Sequence, residues 1–282
     1  MISRRIVSVS SPKWFRPLAW VPVLWLVALL PGCTSGPVPP TVAPATPATP
    51  AAVVVAAPEP ASPTPRPSPT LAERLSLAAP DADPDVLALA VQAQQCATAS
   101  GTVEPVERLA VIDYSRPSTE PRLWVFSLAD ASLLFHEHVA HGKNSGANLA
   151  TQFSNVEGSL QTSLGLFRTA ETYIGGHGYS LRMDGLEPGV NDHARERLLV
   201  IHGADYVDPA QARRQGRLGR SFGCPAVRSG IVREVVDSLK GGQLLFAYYP
   251  EMKWLKDSRF LACDGAGDTK RVIASLAAAP AG

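Results

Sequence analysis

Apolar residues recur along this 282-residue chain in two different patterns. From Asp85 to Ala97 they return at Val86, Leu89, Ala90 and Ala93, the three-and-four spacing that lines one face of a helix, after an Asp- and Pro-rich cap region. Farther on they come in short runs: Leu109 to Ile112, Leu123 to Leu128, Leu133 to Val139, Ser163 to Arg168, Tyr179 to Met183, Leu198 to His202 and Leu244 to Tyr249. Clusters of Gly, Asn, Ser and Pro separate these runs, as turns between strands require. Two further helices are predicted, one over Asp192 to Arg197 and one from Ser229, its N-cap, to Lys240, stopped by Gly241-Gly242. Many strands, few helices and no regular βα alternation predict a mainly β (α+β) domain with peripheral helices. No internal repeat is visible.

A different apolar segment, the 12 residues Ala19 to Leu30, follows Arg4, Arg5, Lys13 and Arg16, and no acidic residue precedes Glu59. A basic start and an apolar run too short to span a bilayer predict a secretory signal. The run ends Leu30-Pro31-Gly32-Cys33, which resembles a lipobox, so residues 1–33 are expected to be a lipoprotein signal with Cys33 as the lipidated residue. The alternative is a plain signal peptide with an incidental cysteine. Thr34 rather than an aspartate follows Cys33, and by resemblance to Gram-negative lipoproteins this implies a periplasmic domain held at the outer membrane. Residues 34–70 carry 12 of the 26 prolines and few apolar side chains other than Ala and Val, a composition that makes an extended tether rather than a packed core. At about 3 Å per residue such a spacer reaches on the order of 100 Å.

Charge sharpens this division. Only six of the 51 charged side chains fall in the first 70 residues. The formal net charge of +1 excludes the basic stripe that nucleic-acid binding needs, and loss of the first 33 residues leaves 22 basic and 25 acidic side chains. The expected organisation is therefore signal (1–33), tether (34–70), N-terminal helical segment (71–104), main folded domain (105–250) and C-terminal extension (251–282).

The chemistry concentrates in Leu198 to Gly203 and in the string GRLGRSFGCPAV from Gly216 to Val227. Cys224 stands in a glycine-rich turn, where backbone amides approach a reacting carbonyl closely. Arg220 and nearby amides are expected to favour its thiolate. His202, at the end of an apolar strand, is placed to be a base on a rigid element, and a nucleophilic cysteine and its histidine need only meet in space. Composition and spacing alone leave a buried structural Cys224 and a structural His202 as an equal alternative.

The block GRSFGCPA is similar to the catalytic block of L,D-transpeptidases of the YkuD type, in particular the murein L,D-transpeptidase catalytic domain branch. The resemblance extends through VIDYSRPSTEPRLWVF, VAHGKNSG, FSNVEGS and SLGLFRT, covering roughly residues 105–250. It implies a YkuD-like β-sandwich or barrel. It also implies that Cys224 attacks the carbonyl of a meso-diaminopimelate–D-Ala bond in a tetrapeptide stem, that the thioester passes to an amine of a second stem or of a wall-linked protein, and that no cofactor takes part. His202 is the implied base, oriented by the Gly203 carbonyl. The amides of Gly223 and Cys224 are the implied oxyanion donors, and Arg220 and Ser221 the implied substrate contacts; the run His141-Gly142-Lys143-Asn144-Ser145-Gly146 reads either as a turn bordering the active groove, with His141 and Asn144 as further candidate substrate contacts, or equally as a plain structural turn. One departure is visible: the better-known branch has a histidine where this chain has Phe222. The same thioester could pass to water, giving an L,D-carboxypeptidase or endopeptidase, and a non-catalytic peptidoglycan-binding lipoprotein is the reading outside enzymes.

Other residues also carry groups capable of chemistry. His136 and His138 share a strand face, but His141 and Glu137 point away, so no metal is expected. His177, in Gly175-Gly176-His177-Gly178, reads as a loop histidine. Cys96 and Cys263 remain once Cys33 and Cys224 are assigned, and in an oxidising compartment they form either a bridge or two free thiols.

Overall fold

The computed structural model describes residues 68–263 and 267–278. Cys33 and most of the expected tether lie outside these residues. The chain opens with two helices, α1 (Leu71–Ala78) and α2 (Pro84–Ala99). Thr70 and Glu73 cap α1 reciprocally, and Asp83 caps α2 ahead of Pro84, whose missing N–H is no loss in the first turn. The predicted face of α2 is buried at Val86, Leu89, Ala90 and Ala93, and so are Leu87, Val91, Cys96 and Ala97.

Eight strands follow: β1 (Arg108–Asp113), β2 (Leu123–Ser127), β3 (Leu133–Glu137), β4 (Gly165–Gly175), β5 (Gly178–Gly185), β6 (Val200–Gly203), β7 (Ala226–Val227) and β8 (Leu244–Tyr248). They make one mixed sheet in the order β3-β2-β1-β8-β4-β5-β6-β7. Pairing is antiparallel except for β1 with β8 and β6 with β7. The two edges approach each other, because Ala140, three residues beyond β3, bridges Ala226 of β7 with an N–H···O distance of 2.9 Å. The sheet thus nearly closes into a barrel, with its helices outside.

Four more helices complete the chain: α3 (Pro209–Gln215), α4 (Val232–Leu239), α5 (Met252–Asp257) and α6 (Gly267–Ala278). The main core lies between the sheet and helices α2 and α4, centred on β1, β2 and β8, every residue of which is buried apart from Arg108. Continuous apolar runs suit strands covered on both faces. A smaller cluster, Ala140, Ala204, Val207, Ala212, Leu218 and Ala226, packs α3 beneath the far end of the sheet. Cys96 of α2 is disulfide-bonded to Cys263, with Cα atoms 6.0 Å apart, tying the first helical segment to the last.

The structure departs from the sequence reading in several places. Asp192 to Arg197 is a series of turns rather than a helix. Asp192 accepts hydrogen bonds from the Gly189 amide and the Asn155 side chain, so it closes a preceding loop, and Leu198 then enters the left-handed region at φ +56°. That conformation also delays the next strand to Val200. Helix α4 begins after Ile231 and not at Ser229, whose hydroxyl donates to Asp205 at 2.6 Å. The run from Ser163 starts as a strand only at Gly165 but continues to Gly175, past a register irregularity between Thr169 and Thr172 that frees its second half to form a hairpin with β5 alone. Helix α1 falls in the expected N-terminal helical segment, whereas strand β7 and helices α3, α5 and α6 had no counterpart among the predicted elements.

Candidate active site

The site is assembled by the last and shortest strand pair. Strand β7 runs parallel to β6 with Ala226 opposite His202 and Val227 opposite Gly203, and the His202 amide donates to Pro225 O at 3.4 Å. Cys224 therefore stands two residues before Ala226, the partner of His202, although 21 residues separate Cys224 from His202 in sequence. Cys224 is the free cysteine among the described residues and is half-buried. Its Sγ lies 3.7 Å from Leu198 O.

The turn around Cys224 is held from inside. Ser221 is buried; its Oγ donates to Cys224 O at 2.6 Å and accepts from the Gly223 amide at 3.0 Å. Its backbone bonds to His141 O and Lys143 N, which fastens the turn to the loop after β3. Gly223 adopts φ +130°, and a Cβ there would come within 2.8 Å of Gln161 O, so only glycine fits. Thr162 Oγ1 donates to Gly223 O and accepts from the Gly142 amide.

His202 is 2% exposed. Its Nδ1–H donates to Gly203 O at 3.0 Å, which leaves Nε2 as the basic nitrogen. Burial lowers the proton affinity of this imidazole, the Gly203 carbonyl opposes that, and His177 adds to the lowering. Burial likewise pushes the Cys224 thiol up, against the opposing pull of the Val200 amide, Arg197 and its own amide. Burial thus favours the uncharged form of each group, the thiol of Cys224 and the imidazole of His202.

Several sequence expectations are corrected by this geometry. Arg220 does not favour a thiolate: its Nη1 donates to Lys143 O at 3.0 Å and Gly146 O at 2.8 Å, pinning the loop after β3. The cation that acts on Cys224 is Arg197, which donates to Ser154 O, Gln161 O and the hydroxyls of Ser159 and Ser163. The Gly223 amide is occupied by Ser221 Oγ, so of the two expected oxyanion donors the Cys224 amide is the one left. His141 is fully buried rather than lining a groove; Arg122 donates to its Nδ1 at 2.7 Å, and burial first, then Arg122, pushes its proton affinity down to about 3. Asn144 spends its side-chain NH2 on Ser159 O. Ser221 serves the turn as described.

Phe222 projects outward, 68% exposed, with Lys143 Nζ 4.6 Å from its ring centre. Of the other histidines, His136 stacks on Trp124 with Nδ1 3.9 Å from Asp81, and His138 donates to Thr119 O. Among the described residues no group of three His, Cys, Asp or Glu side chains converges as a metal site requires. Two residues had no role in the sequence expectations, Arg197 and Leu198, whose left-handed backbone aims its carbonyl at Cys224, while His177, expected to be a loop histidine, is stacked on His202. The arginine and leucine directly precede the histidine strand, and adjacency to a strand carrying the base is the signal that could have singled them out.

Residues 78–248 match the profile of a family described as the L,D-transpeptidase catalytic domain. No curated protein matches the chain. Among solved structures it is similar to the L,D-transpeptidase from Mycobacterium smegmatis, with 16% identity over 51% of this chain and 59% of that one, at a TM-score of 0.32. It is also similar to Mycobacterium tuberculosis L,D-transpeptidase 1, at 12% identity, 50% and 60% coverage and a TM-score of 0.29. The Xylanimonas cellulosilytica L,D-transpeptidase gives 14% identity, 58% and 80% coverage and a TM-score of 0.30. This chain spans about three-fifths of the length of the two mycobacterial chains.

Proposed function

The chain belongs to the L,D-transpeptidase catalytic domain family, and from that membership we propose that it is a peptidoglycan L,D-transpeptidase whose acyl carrier is Cys224. The observation that supports the reading is the β6–β7 pairing: the free Cys224, in a glycine turn, lies two residues before Ala226, which is opposite His202, and the His202 Nδ1 is committed to Gly203 O. Cys224 Sγ attacks the carbonyl of the meso-diaminopimelate–D-Ala bond while its proton passes to His202 Nε2. The tetrahedral oxyanion meets the Cys224 amide. Collapse breaks the C–N bond, His202 returns the proton to the departing D-alanine amine, and a thioester remains. An amine of a second stem, or of a wall-linked protein, then attacks the thioester and restores the thiol.

The test is mass spectrometry of the protein incubated with tetrapeptide muropeptides. The expected result is an acyl adduct on Cys224, release of D-alanine and a crosslinked dimer, all lost in Cys224→Ala. An adduct that persists in that variant overturns the assignment, and D-alanine release without a dimer at saturating acceptor makes water the acceptor instead.

We further propose that the protein is lipid-anchored through Cys33 and works in the periplasm at the outer membrane, with residues 34–70 as the tether. The Cys96–Cys263 bridge supports an oxidising compartment. Cys33→Ser is expected to move the protein from the membrane fraction to the soluble one; unchanged fractionation refutes the anchor.

A further inference from the structure

The histidine base has a second imidazole lying against it. Strands β4 and β5 form a hairpin closed by Gly176 and His177, and β5 pairs with β6 so that Ser180 is opposite His202. The hairpin tip thereby reaches back over the end of β6. There the His177 ring stacks on the His202 ring, centroids 4.3 Å apart and planes 27° apart. The two differ in surroundings: His202 is buried and His177 exposed. Beyond that stack, His177 makes no hydrogen bond or ion pair among the described residues, so packing elsewhere does not account for its place.

From this stack we infer that His177 is a positioning residue of the transfer reaction, covering the face of His202 and setting how tightly that imidazole holds the proton it takes from Cys224. Of the other charged groups on the elements packed around His202, Glu234 of α4 is exposed to solvent and most of the rest have partners elsewhere. On β5, Arg182 pairs with Glu171; beyond β7, Arg228 pairs with Glu137. On α4, Asp237 bonds Tyr179 and Lys240 while Arg233 lies over the Tyr179 ring, and after β6 Asp205 accepts from Ser229. Cys224 is the reaction partner itself. That leaves His177 as the titratable group on the face of the base. A proton on His177 puts a positive charge against His202 and makes the protonated base a stronger acid, which favours delivery of its proton to the leaving amine. An uncharged His177 leaves only its cover.

The inference rests on the acyl-transfer reading, and its test separates the two. In the full chain carrying Cys224→Ala, the titration midpoint of the His202 ring is followed by NMR, in the parent and with His177→Gln or His177→Phe. Removing the charge is expected to raise the His202 midpoint by about half a pH unit or more in both variants. In the Cys224-intact protein, the acidic limb of the rate of thioester formation is expected to move to higher pH by the same amount. A midpoint unchanged in His177→Gln overturns the inference. So does a phenylalanine variant that matches the parent while the glutamine variant is displaced, since a bare ring then suffices. If the parent forms no thioester, the acyl-transfer reading fails, yet the NMR titration still decides whether the two imidazoles are coupled.

Discussion

The two ends of the sheet are built on opposite terms. At one end β1, β2 and β8 are five or six residues long and buried almost throughout, and they hold one another in register between helices. At the other end β6 has four residues and β7 two, and the buried groups there include His202, Ser180 and Ser221. The first end draws its stability from apolar area. The second accepts desolvated polar groups and a left-handed Leu198, and balances them with hydrogen bonds inside the turn and the hold of Arg197 on the loop of residues 154–163. The candidate site lies at the end where strands are too short to supply much packing, and it relies on the other end for rigidity.

That division can be broken first at the apolar end. Phe246, fully buried in β8, lies opposite Val111 and Leu166 and 5.7 Å from the Trp254 ring. Phe246→Ala is expected to lower stability by about 3–5 kcal/mol, read from the urea midpoint, through lost transfer energy and the cavity left behind. Thioester formation per folded molecule should remain at the parent rate, and a rate that falls in the still-folded variant contradicts the division. A smaller effect on stability is expected at the other end. Leu198, 65% exposed, has little packing to lose. In Leu198→Gly, relief of the left-handed backbone and the greater freedom of the unfolded chain offset to within about 1 kcal/mol. The carbonyl aimed at Cys224 loses its fixed direction, however, and single-turnover thioester formation should slow by about tenfold. A normal rate in a normally stable Leu198→Gly protein removes Leu198 from the site.

The same contrast decides what could be read from the chain. The strands of the apolar end announce themselves because their side chains need burial, and the predicted runs at Leu109, Leu123 and Leu244 coincide with β1, β2 and β8 to within a residue or so at either end. Strand β7 has two residues and no periodicity; its pairing is set by neighbours on β6 and at Ala140. Cys224 and His202 were legible as candidates from residue type, the glycines and the strand end. The partners of the turn were not, because they depend on which side chain reaches which backbone group. Arg220 is near Cys224 in sequence and faces a loop, whereas Arg197, 27 residues away, faces the cysteine. His141 looked like part of a groove-lining turn, but Arg122 draws it inside.

The parallel pairing of β6 with β7 has a consequence for how such a site can vary. His202 and the turn of Cys224 are brought together through adjacent strands, so the chain between them is a detour, in which α3 is capped by Asp208 and ended by Gly216 in the left-handed region. Doubling a flexible detour adds only about 0.6 kcal/mol to the entropy of closing it. The length of the interval is thus weakly constrained where it is exposed, while Val207, Ala212 and Leu218 hold the rest of it against the sheet. Gly216, exposed and with no atom within 4 Å of where a Cβ would stand, marks a port where foreign sequence can enter between the two reacting groups while both stay seated.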